Sequence, residues 1–237
     1  MDDRGALTSR LAAALRRTPI AGVVRAVRAA GRQVGRRLGI PAFVESVLLE
    51  VNELLRREHP RVSVVIPSIG RETLQRAVDS ASWAHEVIVV FDAPTAPADR
   101  PSGATILACG PSNHWGAEQR RLGIDRATGT HLAFMDDDDE YTTCAADVVP
   151  RALAARPGRV HIFGMRKGQY VYGGRGCVYD GGIGSPMFVV PNDGALGEWT
   201  TRRQGDFDFI QSTLARRRRR ACFHDDVIAE IRPGGAR

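Results

Sequence analysis

His131-Leu132-Ala133-Phe134-Met135 runs directly into Asp136-Asp137-Asp138-Asp139-Glu140. The first half is a short apolar run of the kind that forms a buried strand. The second half is five acids in a row, which repel one another and are costly to hold together. A strand that delivers carboxylates from its carboxyl end predicts an open α/β sheet, because such sheets bind ligands along that edge. Carboxylates at this spacing offer hard oxygen ligands suited to Mg²⁺ or Mn²⁺, with phosphate oxygens completing the shell. The plain alternative is a solvated acidic loop. The apolar strand feeding the acids favours the cation.

Outward from this run the chain alternates. Residues 62–66 read as a buried strand ended by Pro67-Ser68-Ile69-Gly70. A helix follows over roughly residues 72–83, then a strand at 86–91. Pro94, Pro97 and Pro101 mark a loop before a third strand at 104–108. Residues 115–127 read as a helix closed by Gly129, and 131–135 as the fourth strand. Strands separated by helices predict a mostly parallel, Rossmann-like sheet with right-handed crossovers and flanking helices. Downstream, 142–155 reads as a helix with a break expected at Pro150, and 160–163 as a strand. Seven glycines between residues 168 and 184 predict short strands and turns. A segment of that texture suits the wall of an acceptor pocket. Residues 187–190 return to strand, 206–219 to helix, and 227–231 to a last strand.

The 237 residues can bury a sizeable core in one main domain. Cys109, Cys144, Cys177 and Cys222 lie far apart without a CxxC pair. That usage predicts reduced thiols in a cytoplasm, with no disulfide framework and no zinc knuckle. No stretch reaches the ~18 consecutive apolar residues that span a bilayer, and the amino terminus shows no signal-peptide pattern. The net charge of +6 is uneven. Residues 1–60 carry 11 Arg against 6 acids, a net +5, which leaves +1 for the remaining 177 residues. A nearly neutral body argues against nucleic acid as its substrate. In the basic segment, 4–17 and 20–38 read as helices. Ile20, Val23, Val24, Val27, Val34 and Leu38 form one stripe of the second, and Arg25, Arg28, Arg32 and Arg36 another. Such a helix can lie peripherally on an anionic membrane face, or pack its valines on the body or on a second copy. A further helical period from Phe43 ends at His59-Pro60. The expected organisation is a basic helical extension over 1–60 and a catalytic body over 61–237.

Four features of the body resemble the GT-A glycosyltransferases, and within them the large inverting family 2. Val62–Ser68 reads V-S-V-V-I-P-S where the family has V-S-V-I-P-T. Glu86 to Asp92 reads E-V-I-V-V-F-D where the family has a strand ending in two aspartates. Arg120, Gly123, Ala127 and Gly129 follow the family's A-R-N-x-G…A-x-G block. Phe134 to Glu140, F-M-D-D-D-D-E, follows F-L-D-x-D-D-E. Departures are Ile69-Gly70 for Tyr-Asn, Phe91 for the first aspartate, and Arg121 for the Asn. The resemblance covers about 61–141, which it implies is the nucleotide-sugar half. Residues 142–237 then form the acceptor half.

The resemblance implies roles for particular residues. Pro67 and Ser68 end the first strand where backbone and hydroxyl can meet a nucleotide base. Asp92 resembles the carboxylate that accepts a hydrogen bond from uracil or another base, though a turn acid before Pro94 reads the same way. Arg120 resembles an arginine supporting the nucleotide, against the alternative of a surface helical arginine. Asp138 is expected to ligate the cation, with Asp136 helping and Asp137 reaching a ribose. The resemblance implies an E-D-like motif at the head of a late helix; in its place stands Gly205-Asp206-Phe207-Asp208, with Gly205 for the Glu, so Asp206, with Asp208 in reserve, is the expected general base. Both also suit a helix start. His224 is a further candidate metal ligand, against an ordinary structural histidine. Trp115 and Trp199 could stack on a sugar or base, core packing being the usual fate of such residues. The implied reaction is transfer of a sugar, from a UDP-sugar or a related nucleotide sugar, to a small-molecule, lipid-linked or peptide acceptor. A sugar-1-phosphate nucleotidyltransferase of related fold would need a glycine-rich loop where Pro67-Ser68-Ile69-Gly70-Arg71 has one glycine. A non-catalytic scaffold that binds an anionic partner would not need the intact acid run.

Overall fold

A computed structural model describes residues 60–112, 114–218 and 220–232. The predicted helices of the amino-terminal extension, and the membrane or self-association face read on them, lie outside the described residues. Among the described residues no helix is long and apolar enough to cross a membrane.

The body is one mixed sheet with helices on its faces. In chain order its elements are β1 (Val62–Ser68), α1 (Leu74–Ser80), β2 (Glu86–Asp92), β3 (Thr105–Cys109), α2 (Ala117–Arg126), β4 (His131–Phe134) and β5 (Glu140–Tyr141). There follow α3 (Ala145–Ala155), β6 (Val160–Lys167), β7 (Tyr170–Tyr172), β8 (Phe188–Pro191), α4 (Gly205–Arg216) and β9 (Ala221–Ile231). The spatial order is β3-β2-β1-β4-β8-β6-β9-β5, with β7 paired to β6 off that path. β1 pairs in parallel with both β2 and β4, and β2 with β3. The parallel pairing expected for most of the sheet is found in this half. β8 then pairs antiparallel with β4 and β6, and β5 with β9, while β6 and β9 are parallel. All seven residues of β1 are buried, as befits a strand covered on both faces.

Several boundaries differ from the sequence reading for local reasons. α1 is shorter at both ends, because Leu74 N–H bonds Arg71 C=O in a turn and the chain turns again at Ser80–Ala84. α2 starts at Ala117 because Trp115 and Gly116 both have positive φ. Pro150 lies inside α3 without breaking it, at the loss of one ladder bond. β9 extends back to Ala221, and β5 takes its pairing from within the acid run, where Glu140 stands opposite Glu230.

The edge away from the acids is held by Glu86. Its carboxylate accepts from Ser63 Oγ at 2.5 Å, Thr128 N–H at 2.6 Å and Gly129 N–H at 3.2 Å. Burial opposes that charge, but these bonds outweigh it and hold Glu86 below the usual carboxylate range. α2 packs across β1 and β2. The contact is close at Gly123, where an added Cβ would overlap the methyls of buried Val65. We expect Gly123→Ala to lower stability by about 1–3 kcal/mol despite alanine's better helix propensity, because a packed core resists added volume. A urea midpoint unchanged or raised would contradict this packing.

Candidate active site

The acid run is folded by a tight turn, in which Asp139 N–H bonds Asp136 C=O at 3.2 Å. The turn sends its carboxylates in two directions. Asp136, Asp138 and Asp139 bring carboxylate oxygens within 4.8 Å of one another. Asp137 faces β1 instead, 1% exposed. It accepts from Ser68 Oγ at 2.7 Å and Ile69 N–H at 3.1 Å, and it pairs with the Arg71 guanidinium. Its carbonyl accepts from Thr73 Oγ1 at 2.7 Å. Ser68 Oγ in turn accepts from Gly70 N–H at 2.9 Å. The hydroxyl expected at a base and the carboxylate expected at a ribose are therefore engaged with each other. Together they shape the loop after β1, as does Pro67, buried against Gly116.

Each remaining acid has its own counterpart. Asp136 pairs with Arg120, and Asp138 lies 3.7 Å from Arg71 Nε. Asp139 accepts from Arg232 N–H at 3.2 Å. Glu140 faces Arg76 Nε at 3.4 Å and Arg232 Nη2 at 2.9 Å. These contacts do not satisfy the cluster. Burial raises the pKa of Asp138 even against Arg71, with the charges of Asp136 and Asp137 adding to it. Burial, then the charges of Asp136 and Asp138, push Asp139 up to about 8. Three hard oxygen donors whose negative charge is under-compensated are a donor set that fits a divalent cation of the Mg²⁺ or Mn²⁺ class.

Arg120 is buried, not a surface arginine. Its Nη1 donates to Trp115 C=O at 2.9 Å, its Nη2 meets Asp136, and its guanidinium lies 4.5 Å from the Trp199 ring centroid. Trp199 stacks on Phe209 of α4 at 4.6 Å, and both meet Phe134 of β4 edge-on at 5.0 and 5.3 Å. This aromatic packing docks the head of α4 beside the acid turn. Asp206, the second residue of α4, takes Phe207 N–H at 2.9 Å. Burial raises its pKa, Arg120 opposes the rise, and the Asp136 charge adds to it. Two residues on, Asp208 accepts from Thr200 Oγ1 and lies 3.5 Å from Arg202 Nη1, which ties the preceding loop to the helix.

Across the rim, Asp92 ends β2 and accepts from Ser112 N–H at 2.7 Å. It lines a cleft of about 460 Å³ between the loops after β1 and β2, together with Ser68, Arg71, Phe91 and Arg100. His224 is not brought to the acids, which corrects its reading as a metal ligand. It stands on β9 eight residues before Arg232, whose N–H meets Asp139, and it is not among the residues that gather at the acid cluster. Its Nε2 bonds His161 Nδ1 at 3.0 Å, and its ring stacks on Phe163 at 4.4 Å. His161 Nε2 meets Arg156 C=O at 2.9 Å, so that nitrogen carries the proton and His161 Nδ1 accepts from His224.

The family described as Glycosyl transferase family 2 matches residues 63–166, which span β1 to β6 and the acid turn. Over these residues, fewer than half of the chain, the sequence is similar to family 2 glycosyltransferases. Solved structures share this fold. S. aureus TarS matches at 12% identity and a TM-score of 0.56, over 73% of this chain and 37% of that one. S. aureus TarS 1–349 in complex with UDP matches at 13% and 0.56, over 73% and 60%. The same protein in complex with UDP-GlcNAc matches at 12% and 0.54, over 75% and 60%. The chain thus spans between 37% and 60% of the lengths of these structures. No curated protein sequence matches it. In this GT-A frame, two residues of the acid rim had escaped the sequence reading. Asp139 completes the cluster, and its only sequence signal was its place in the run. Arg71 pairs with Asp137 and also approaches Asp138, and nothing in its local sequence links it to residues 66 and 67 positions away.

The raised carboxyls set a pH dependence. Unfolded, such groups titrate near ~4. Between that range and about 8 the folded chain keeps a proton on Asp139 that the unfolded chain releases. Asp139 therefore contributes stability that is lost as pH rises through that window, while His161, held by burial at about 4, contributes in the opposite sense below the ordinary imidazole range of ~6.5. In EDTA, the thermal midpoint is expected to drop from about pH 7 to about pH 8.5, above the range in which the histidines titrate, and Asp139→Asn should flatten the slope. A wild-type midpoint that rises over this interval would contradict the geometry of the turn.

Proposed function

We propose that the chain transfers a sugar from a nucleotide-sugar donor, of the UDP class, to an acceptor hydroxyl with inversion at the anomeric carbon. The observation that carries this reading is the Asp136, Asp138 and Asp139 cluster at the carboxyl edge of the parallel strands, with Asp206 docked beside it through Arg120. The family 2 match and the UDP and UDP-GlcNAc complexes of S. aureus TarS support the donor class.

In this reading the cleft beyond β1 and β2 takes the nucleoside, with Asp92 on its wall as acceptor for a base N–H. Asp138 and Asp139, with Asp136, would hold a Mn²⁺ or Mg²⁺ ion. When bound, that ion would neutralise charge developing on the departing diphosphate. Arg120 keeps Asp136 aimed into the rim and ties it to α4. Asp206 receives the proton of the attacking hydroxyl; a carboxylate whose pKa is raised by burial is matched to that task near neutral pH. Asp208 supports it by fixing the loop before the helix. The glycine-rich segment 168–184 and the head of α4 enclose the acceptor, a hydroxyl on a small molecule, a lipid-linked saccharide or a peptide. The enzyme works in the cytoplasm, with its basic extension available for contact with an anionic membrane face or a second copy.

A panel of UDP-sugars with Mn²⁺ tests the proposal through UDP release. Turnover should need the metal. Asp138→Ala should lose Mn²⁺-dependent UDP binding and at least ~100-fold in rate. Asp206→Asn should lose transfer by ~10²–10⁴-fold while binding UDP normally. Normal turnover by Asp138→Ala, or release of pyrophosphate rather than UDP, would refute the reading.

A further inference from the structure

Trp115 is built against its own interest. Its φ is +50°, in the left-handed region that a bulky side chain rarely enters. Gly116 continues the bend at φ +78°, so close to β1 that an added Cβ would lie 2.9 Å from Pro67 and 2.6 Å from Arg120 Nη1. The Trp115 carbonyl is held by the same guanidinium that holds Asp136. Yet the residue is 48% exposed, whereas Trp199 is 3% exposed within the aromatic packing of α4. The indole meets the guanidinium of Arg203 at 5.8 Å from its centroid, and Arg203 stands three residues before Asp206. A strained backbone therefore keeps a large aromatic surface open between the acid rim and the head of α4. Strain retained in this way concentrates at ligand sites.

We infer that Trp115 is the stacking platform for the donor's transferred sugar, with Arg203 steadying the indole. This rests on the nucleotide-sugar reading above. A hexose ring has a face of C–H bonds whose weak positive polarity suits the negative face of an indole. The Arg203 contact is within cation–π range and limits the ring's motion. The nucleoside cleft is lined by Ser68, Ile69 and Asp92, and Trp115 is not among its lining residues. The inference therefore places UDP itself in that cleft and the sugar on the indole.

Calorimetry on the full chain with Mn²⁺, using UDP, UDP-glucose, UDP-galactose and UDP-GlcNAc as probes, separates the terms. The test variant is Trp115→Gly, since glycine accepts the positive φ and the turn should survive. It should weaken the best-bound UDP-sugar about tenfold and UDP less than twofold. Trp115→Phe should keep most of the affinity. Equal weakening of UDP and UDP-sugars would make Trp115 a purely structural turn residue and overturn the inference, as would an unchanged UDP-sugar affinity in Trp115→Gly. A wild-type chain that binds UDP but loses nothing in the variant sinks the platform alone. A wild-type chain that binds none of the four sinks the donor reading, and the platform with it.

Discussion

Five carboxylates in five consecutive residues can share one turn only if their charges are divided among different elements. Here the division is nearly complete. Asp137 is taken by the loop after β1, Asp136 by Arg120 of α2, and Asp138 is shared with Arg71. Asp139 is met by the end of β9, and Glu140 by Arg76 and Arg232. The acid run is thus the knot at which the carboxyl edge of the sheet is tied. What remains unpaired after that division, on Asp138 and Asp139, is electrostatic cost that a divalent ion would relieve.

Arg120 transmits this constraint to the rest of the site. One guanidinium meets an acid, a backbone carbonyl and an indole face at once. Through Trp199 and Phe209 it couples the turn to α4, and through Trp115 to the loop before α2. The proposed metal ligands and the proposed base sit on elements about 70 residues apart in sequence. They meet because one buried cation and one aromatic cluster leave α4 little freedom in where it docks. Asp208 and Arg202 complete the fixing from the loop side.

The family match covers the parallel half together with β6, and the likeness to TarS is one of fold. Within that frame this chain replaces familiar side chains with its own. Ile69 and Gly70 leave the β1 loop to be shaped by Ser68 and Asp137, and Phe91 leaves Asp92 as the carboxylate at the end of β2. The indole of Trp115 is exposed in the loop before α2.

The alternation of apolar strands and helices was legible because buried parallel strands are continuous apolar runs and β1 and β3 are each followed by a helical period, while prolines mark the loop after β2. The acids at the end of β4, and so the edge at which ligands would gather, were legible for the same reason. Helix ends, the pairing of Glu140 with Glu230 and the reversal at β8 were not, since turns and antiparallel partners depend on residues far away in sequence. The division of labour inside the acid run was also hidden: residue type alone cannot say that Asp137 turns inward while Asp139 joins the cluster. His224 carried the opposite lesson, a ligand by type that pairs with His161 because their strands are neighbours. The sequence by itself determined the sheet, its acid-bearing edge and the chemistry those acids favour, because these follow from local pattern and charge. Only the tertiary structure decided which carboxylates face one another, because that depends on where Arg71, Arg120 and Arg232 arrive from distant parts of the chain.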